Sequence, residues 1–194
     1  GFGPLCDVKI SEEETAQLQE NLIISHSVGV GKPIAKELSK VMMVCKIHAL
    51  SKGFSGISLD VVERLMLMLE KDIIPVVPEQ GSVGASGDLA PLSHLVLPLL
   101  GLGKVWEGEN IVETAQVLEK HQLQPLKLQA KEGLALINGT QFILAHAILG
   151  LDKFKYLLDL ADVAAAFSIE AYQGSASPFK KELHEIRPYK GSQL

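Results

Sequence analysis

The chain has 194 residues, of which 47% are hydrophobic and 21% are charged, and its 18 basic and 23 acidic side chains give a formal net charge of −5. These values exclude a disordered segment, which combines low hydrophobicity with high charge. The mild acidity and the even spread of lysines argue against a nucleic-acid-binding protein, whose binding face must neutralise phosphate groups.

The cysteines, the N-terminus and the longest apolar stretch favour a soluble cytoplasmic protein. Cys6 and Cys45 lack the spacing of metal ligands or of a disulfide framework. The opening residues show no charged lead followed by an apolar run, as a signal peptide would. The longest apolar stretch, from Phe142 to Leu151, has about ten residues and is too short for a bilayer. The abrupt start at Gly1 suggests that the chain is a fragment.

The first 71 residues predict three helices. A capping box of Ser11 and Glu14, in which each side chain satisfies the other residue's N–H, opens the first helix. Pro33 suits the first turn of the second helix, because its missing N–H has no helical partner there. A further capping box of Asp60 and Glu63 opens the third helix.

A different pattern follows the third helix. Pro75 and Pro78 enforce extended backbone. Asp88 is a good N-cap for a fourth helix. The segments Lys104-Val105-Trp106 and Ile111-Val112 flank a Glu-Gly-Glu-Asn turn, which predicts a small β-hairpin with a short helix after it.

Helical periodicity then continues from Lys131 to Tyr172, apart from Asn138-Gly139 and Gly150. A stretch of this length is typical of a long helix in a bundle. We therefore predict a mainly α fold, a helix bundle with long helices and a small β-hairpin, in which residues 1–194 form one part of a larger protein.

Residues 81–92, G-S-V-G-A-S-G-D-L-A-P-L, depart from the helical pattern. A glycine-rich connector before a capped helix is one interpretation. A phosphate-binding loop is another, since a helix N-terminus attracts anions. The phosphate interpretation is weak, because the G-x-G-x-x-G spacing and a following Lys-Ser/Thr pair are both missing.

This segment resembles the signature of the aromatic amino acid ammonia-lyase and aminomutase family. Two other segments resemble blocks of the same family in the same order: N-L-I-I-S-H-S-V-G-V-G at 21–31 and K-E-G-L-A-L-I-N-G-T at 131–140. The opening G-F-G-P-L resembles the end of a further block. The resemblance covers essentially the whole chain and implies the N-terminal part of the ammonia-lyase fold.

The resemblance implies that Ala85, Ser86 and Gly87 cyclise to a 4-methylidene-imidazole-5-one group, with no external cofactor and no metal. The residue types suit this chemistry. The amide nitrogen of Gly87 would attack the carbonyl of Ala85, which requires a tight bend that glycine permits. Ser86 can lose water to leave the exocyclic methylidene carbon. By resemblance, Asp88 also assists the cyclisation.

The residues at 25 and 26 indicate the substrate by resemblance. Histidine lyases of this family carry Ser-His there, tyrosine lyases His-Leu and phenylalanine lyases an apolar pair, and this chain has Ser25-His26. A polar pocket suits a substrate imidazole, whose ring nitrogens an apolar pocket would leave unpaired. Asn138 would hold the substrate carboxylate or amine. The implied reaction converts L-histidine to trans-urocanate and ammonia in a cytoplasmic homotetramer.

Several alternatives remain open. From the residues alone, a core histidine on the apolar face of the first helix is the favoured interpretation of His26. A tyrosine or phenylalanine lyase, or an aminomutase, would share the cyclised tripeptide. A non-catalytic helical assembly module would lack it. The remaining histidines, which no motif supports, are predicted to be structural: His48, His94, His121, His146 and His184.

Overall fold

The computed structural model describes residue 7 and residues 11–84, 87–186 and 189–192. The chain divides into two compact units, Gly1–Leu149 and Gly150–Leu194. Cys6, Ala85 and Ser86 lie outside the described residues.

Helices make up most of the first unit, as predicted. Their bounds are α1 Glu12–His26, α2 Lys36–Leu50, α3 Leu59–Glu70, α4 Leu89–Val96, α5 Thr114–Lys120, α6 Glu132–Ile137 and α7 Gln141–Ala171, which continues into the second unit. A 3-10 helix, Leu97–Leu100, extends α4.

Short strands connect these helices. Their bounds are β1 Val30–Pro33, β2 Ile74–Pro75, β3 Pro78–Gln80, β4 Lys104–Glu107 and β5 Asn110–Glu113. β1 pairs with β3, and β2, β4 and β5 form a second sheet, with all neighbours antiparallel. The predicted hairpin is confirmed by β4 and β5, and the extended backbone at Pro75 and Pro78 is confirmed by β2 and β3.

Two of the three predicted helix starts in the first 71 residues are wrong. Pro33 ends β1 rather than opening a helix. Ile34 N–H donates to the Val77 carbonyl at 2.9 Å, and this bond holds the end of β1 beside the residue that precedes β3. The third helix begins after Ser58, whose N–H donates to Glu132 Oε1 at 3.0 Å. A carboxylate distant in sequence thus replaces the predicted Asp60–Glu63 box.

The first capping box is confirmed. Glu14 N–H donates to Ser11 Oγ at 3.2 Å, and Ser11 N–H donates to Glu14 Oε2 at 3.2 Å. The contrast with the third helix has a simple physical reason. Ser11 is exposed, so local partners decide its hydrogen bonds, whereas a tertiary contact competes at Ser58.

The predicted long helix is divided at Asn138. Its backbone is extended (φ −86°, ψ 123°), which ends α6, and α7 begins three residues later. Gly150, by contrast, lies inside α7 without interrupting it. The Asn138-Gly139 segment is therefore a true break between two helices.

The core of the first unit brings α1, α4 and α6 into mutual contact, and α2 packs on α3, α4 and β2. α1 and α6 approach each other closely at Gly133. Its N–H donates to Gln19 Oε1 at 3.0 Å, and a β-carbon on Gly133 would lie 2.8 Å from the Gln19 carbonyl oxygen. Side chains of the core that are fully buried include Ile23, Met42, Met43, Leu65, Leu92, Leu95 and Leu136.

The second unit contains most of α7, α8 (Lys181–Glu185) and the 3-10 helices Ser177–Phe179 and Lys190–Ser192. Its part of α7 presents many large apolar side chains to solvent: Leu151, Phe154, Tyr156, Leu157, Leu160, Val163 and Phe167.

The stretch Glu132–Ala171 is long and apolar enough, by length and composition, to cross a membrane. Its most apolar 18 residues have a mean hydropathy of 1.6, and 22% of them are buried. The uninterrupted apolar run from Phe142 to Leu151 is by itself too short for a bilayer. Scattered polar residues divide the longer apolar stretch and hide its length. A helix that other protein segments cover on all sides has the same composition as one that crosses a membrane.

Candidate active site

The end of the candidate tripeptide lies directly against the break between α6 and α7. Asp88 N–H donates to the Gly139 carbonyl at 2.7 Å. Gly87 has φ +116°, and a β-carbon on it would lie 2.5 Å from the Gly139 carbonyl oxygen. Only glycine fits this position, because the backbone of 139 fills the space that a side chain would need. This cradle fits a backbone-derived group whose third residue must be glycine.

Asp88 is fully buried, and its side chain caps a helix other than the predicted one. It precedes α4 as predicted but makes no cap hydrogen bond there. Instead Oδ2 accepts from the N–H groups of Phe142 and Ile143, both at 3.0 Å, at the start of α7. Oδ1 accepts from Ser82 Oγ at 2.8 Å. One carboxylate therefore joins the glycine-rich loop to the N-terminus of the longest helix.

Ser25 and His26 end α1. Ser25 is exposed and its hydroxyl donates to the Leu22 carbonyl at 3.1 Å. His26 is half-buried, and its Nδ1 lies 2.8 Å from the same carbonyl. Since a carbonyl oxygen only accepts, this contact places the hydrogen on Nδ1. In neutral His26, Nε2 is then an acceptor, and it has no hydrogen-bond partner among the described residues.

The loop after His26 is fixed to α4 by His94. Gly29 N–H donates to His94 Nε2 at 3.0 Å, so neutral His94 carries its hydrogen on Nδ1. A β-carbon on Gly81 would lie 3.2 Å from the Gly29 α-carbon, so this loop also touches the start of the glycine-rich segment. Burial lowers the pKa of His94. The prediction of a merely structural histidine therefore understates its position beside two candidate segments.

Asn138 presents an exposed side chain beside a pocket of about 290 Å³. The other residues that line this pocket are Phe54, Ser55, Lys131, Leu134 and Ala135. The backbone carbonyl of Asn138 accepts a hydrogen bond from Lys46 Nζ at 3.0 Å.

Lys46 is 1% exposed, and burial lowers its pKa to about 8. The sequence does contain a signal for it. Lys46 follows Met42 and Met43 at helical spacings of four and three, which places a charged residue on the apolar face of α2.

The structure thus brings Gly87, Asp88 and Asn138 around one helix break. The loop that follows Ser25 and His26 lies, at Gly29, against the other end of the glycine-rich segment. Within residues 11–84, 87–186 and 189–192, His, Cys, Asp and Glu form no cluster that could hold a metal ion. The polar groups at this site include main-chain amides, the buried Asp88 carboxylate, the imidazoles of His26 and His94, the Asn138 carboxamide and the buried Lys46 amine. The hydroxyls of Ser25 and Ser82 lie there as well.

We expect Asp88→Ala to lower the free energy of unfolding by about 3 kcal/mol, because it leaves the donors at Ser82, Phe142 and Ile143 without the carboxylate that accepts from them. Urea-induced unfolding of the full-length protein measures this change. Asp159→Ala, at an exposed position of α7, is the control and should change the free energy by less than about 0.5 kcal/mol. Equal stability of the two variants would contradict the capping role of Asp88.

The His94 contact predicts a pH dependence of stability. Because burial lowers the pKa of His94 in the folded chain, the unfolded chain binds a proton more readily below its usual pKa of about 6.5. The free energy of unfolding should keep its full value above that pH and decrease as the pH falls through the folded-state pKa.

In His94→Gln the carboxamide oxygen can still accept from Gly29 N–H but does not titrate, so the decrease at acid pH should be smaller. His48→Gln, at an exposed position on α2, is the matched control and should follow the wild type. Unfolding curves measured across the acid range test this. Parallel wild-type and His94→Gln curves would show that His94 is not the titrating group.

Comparison with known proteins identifies the family. The family model for aromatic amino acid lyases matches residues 1–194. The chain is 48% identical to the histidine ammonia-lyase of Streptococcus sanguinis (strain SK36) over 191 residues, which is 98% of this chain and 37% of that protein.

Solved structures agree with this match. The histidine ammonia-lyase of Trypanosoma cruzi has a TM-score of 0.89 and 41% identity, over 95% of this chain and 36% of that one. The tyrosine aminomutase of Streptomyces globisporus has a TM-score of 0.90 and 39% identity, over 100% of this chain and 36% of that one. The chain spans somewhat more than a third of the length of these relatives, and the predicted ammonia-lyase fold is confirmed. The chain belongs to the aromatic amino acid lyase family.

Proposed function

We propose that residues 1–194 are the N-terminal, prosthetic-group-bearing part of a carbon–nitrogen lyase that converts L-histidine to trans-urocanate and ammonia. The observation that carries the proposal is the position of Gly87 and Asp88 against the Gly139 carbonyl, while Gly29, in the loop that follows Ser25 and His26, lies against the start of the same glycine-rich segment. Family membership and identity to histidine ammonia-lyases support the same reaction class.

In this proposal Ala85, Ser86 and Gly87 cyclise without an external cofactor. The Gly87 nitrogen bonds to the Ala85 carbonyl carbon, whose oxygen leaves as water with the amide hydrogens of Gly87 and Ser86. A C=N double bond then joins that carbon to the Ser86 nitrogen. Ser86 then loses its hydroxyl and its α-hydrogen as a second water. The resulting methylidene-imidazolone supplies an electrophilic carbon. Asp88 assists by holding the end of the tripeptide, since its N–H and its carboxylate both bind the start of the α7 region.

Ser25, His26 and Asn138 bind the substrate in this proposal. His26 donates through Nδ1 to its own helix, which leaves Nε2 to accept the N–H of a substrate imidazole. Ser25 adds an exposed hydroxyl beside it. Asn138 offers a carboxamide that can pair with the substrate carboxylate or amine. A tyrosine or phenylalanine side chain lacks the ring N–H that would match His26, which favours histidine over those substrates.

The exposed apolar side of α7 supports a helical assembly. A soluble protein covers apolar surface of this extent, because leaving it in water is unfavourable. We propose that other helices of a cytoplasmic homotetramer cover it, and that neither a membrane nor a nucleic acid is a partner. The amino-acid substrate is then the only small-molecule ligand that the proposal requires.

We expect the full-length protein to have a mass lower than its sequence mass by about 36 Da, the mass of two water molecules. Intact-mass spectrometry, followed by peptide mapping of residues 81–92, locates the loss. Ser86→Ala is the control, because an alanine cannot lose the second water. An unmodified wild-type tripeptide would refute the proposed function.

The substrate assignment predicts that His26→Leu lowers kcat/KM for L-histidine by about 100-fold relative to L-tyrosine or L-phenylalanine, because the substrate imidazole loses its acceptor. Ser25→Ala should act in the same direction with a smaller effect. Product absorbance in the ultraviolet measures all three reactions.

His146→Leu is the matched control. Its Nδ1 contacts the Phe142 carbonyl at 2.9 Å, as His26 contacts Leu22, but it lies exposed on α7. That variant should keep the preference for histidine. An unchanged preference in His26→Leu would remove the substrate assignment and leave the reaction class.

A further inference from the structure

Lys46 is the feature that the proposed reaction leaves unexplained. It is 1% exposed, and its ammonium group forms no ion pair with any acidic residue in the described part of the chain. An unpaired charge in a protein interior is costly, because the interior does not replace the solvation that water provides. A lysine kept under these conditions is a candidate functional residue.

The position of Lys46 links it to the tripeptide through two backbone groups. Its Nζ donates to the Asn138 carbonyl at 3.0 Å, and this bond fixes the plane of the peptide that joins Asn138 to Gly139. The next carbonyl, that of Gly139, accepts from Asp88 N–H at 2.7 Å and lies against the α-carbon of Gly87.

A second polar side chain at this segment has hydrogen-bonding capacity that is not used. The Gln141 carboxamide oxygen is buried and accepts no hydrogen bond from the described residues. Lys46 in turn has three N–H groups and bonds, within the same part of the chain, to one acceptor. Buried polar groups with spare hydrogen-bonding capacity next to the Asn138-Gly139 peptide are expected where a segment is held for chemistry.

We propose that Lys46 is a positioning residue for cyclisation of the tripeptide. By holding the Asn138 carbonyl it orients the Gly139 carbonyl, which in turn seats Gly87, the residue whose nitrogen must reach Ala85. This inference rests on the proposed function, since it requires that the tripeptide cyclises. Within the described residues Lys46 hydrogen-bonds to neither the reacting nitrogen nor the substrate-binding side chains. Its proposed effect is therefore on the position of the Gly139 carbonyl that holds Gly87.

Three substitutions separate the possible contributions of Lys46 in the full-length protein. Lys46→Met removes both the donor and the charge while keeping an unbranched side chain. Lys46→Gln keeps a neutral donor, and Lys46→Arg keeps a charged one. Lys40→Met is the matched control, because Lys40 lies on the same helix and pairs with Asp72 at the surface.

The readout is the fraction of molecules that has lost two waters at a fixed time after synthesis, measured by intact mass beside the thermal midpoint of unfolding. We expect Lys46→Met to remain folded and to cyclise about tenfold more slowly, since a small displacement of reacting groups slows such a step strongly. Lys46→Arg should be the fastest of the three variants, Lys46→Gln intermediate, and Lys40→Met equal to the wild type.

Cyclisation of folded Lys46→Met at the wild-type rate would overturn the inference and leave the proposed function intact. If Lys46→Met does not fold, equal rates for Lys46→Gln, Lys46→Arg and the wild type would overturn it in the same way. A wild-type protein that has not lost the two waters would instead refute the proposed function itself.

Discussion

The hydrogen bond from Asp88 N–H to the Gly139 carbonyl is the constraint on which the candidate site depends. It fixes the distance between the glycine-rich loop and the break between α6 and α7. Two consequences follow from this single contact. The approach leaves no room for a side chain at residue 87, and it brings the Asp88 carboxylate to the first N–H groups of α7. The loop and the helix start therefore stabilise each other.

Local patterns in the sequence predict much of this architecture. The helix opened by Ser11, the hairpin of β4 and β5, the extended prolines and the break at Asn138 all depend on residues within a few positions of each other. The helix starts at Pro33 and Asp60 are predicted wrongly because partners distant in sequence decide them. Ile34 bonds to a residue 43 positions away (77 − 34), and Glu132 replaces the expected cap of the third helix.

The candidate site divides in the same way. The resemblance identifies the tripeptide, Ser25-His26 and Asn138, because these residues form short blocks with recognisable spacing. Lys46 and His94 belong to no such block. Each makes one hydrogen bond to a main-chain group of a distant segment. Because every residue has the same main-chain groups, the pattern of residue types does not show which of them forms such a bond. Only the periodicity of α2, which places a lysine between core positions, indicates that Lys46 is unusual.

The groups that seat the tripeptide and those that would select a substrate differ in their surroundings. Lys46, Asp88 and Phe142 are buried and come from α2, the loop before α4 and the start of α7, all within the first unit. Ser25, Val28 and the Asn138 side chain are exposed on the same unit. Buried groups hold a geometry without further partners, whereas a binding pocket requires walls that exclude water. We therefore expect formation of the proposed prosthetic group to depend on this unit's own packing. Substrate selection would depend on the protein surfaces that enclose Ser25 and Asn138 in the proposed assembly.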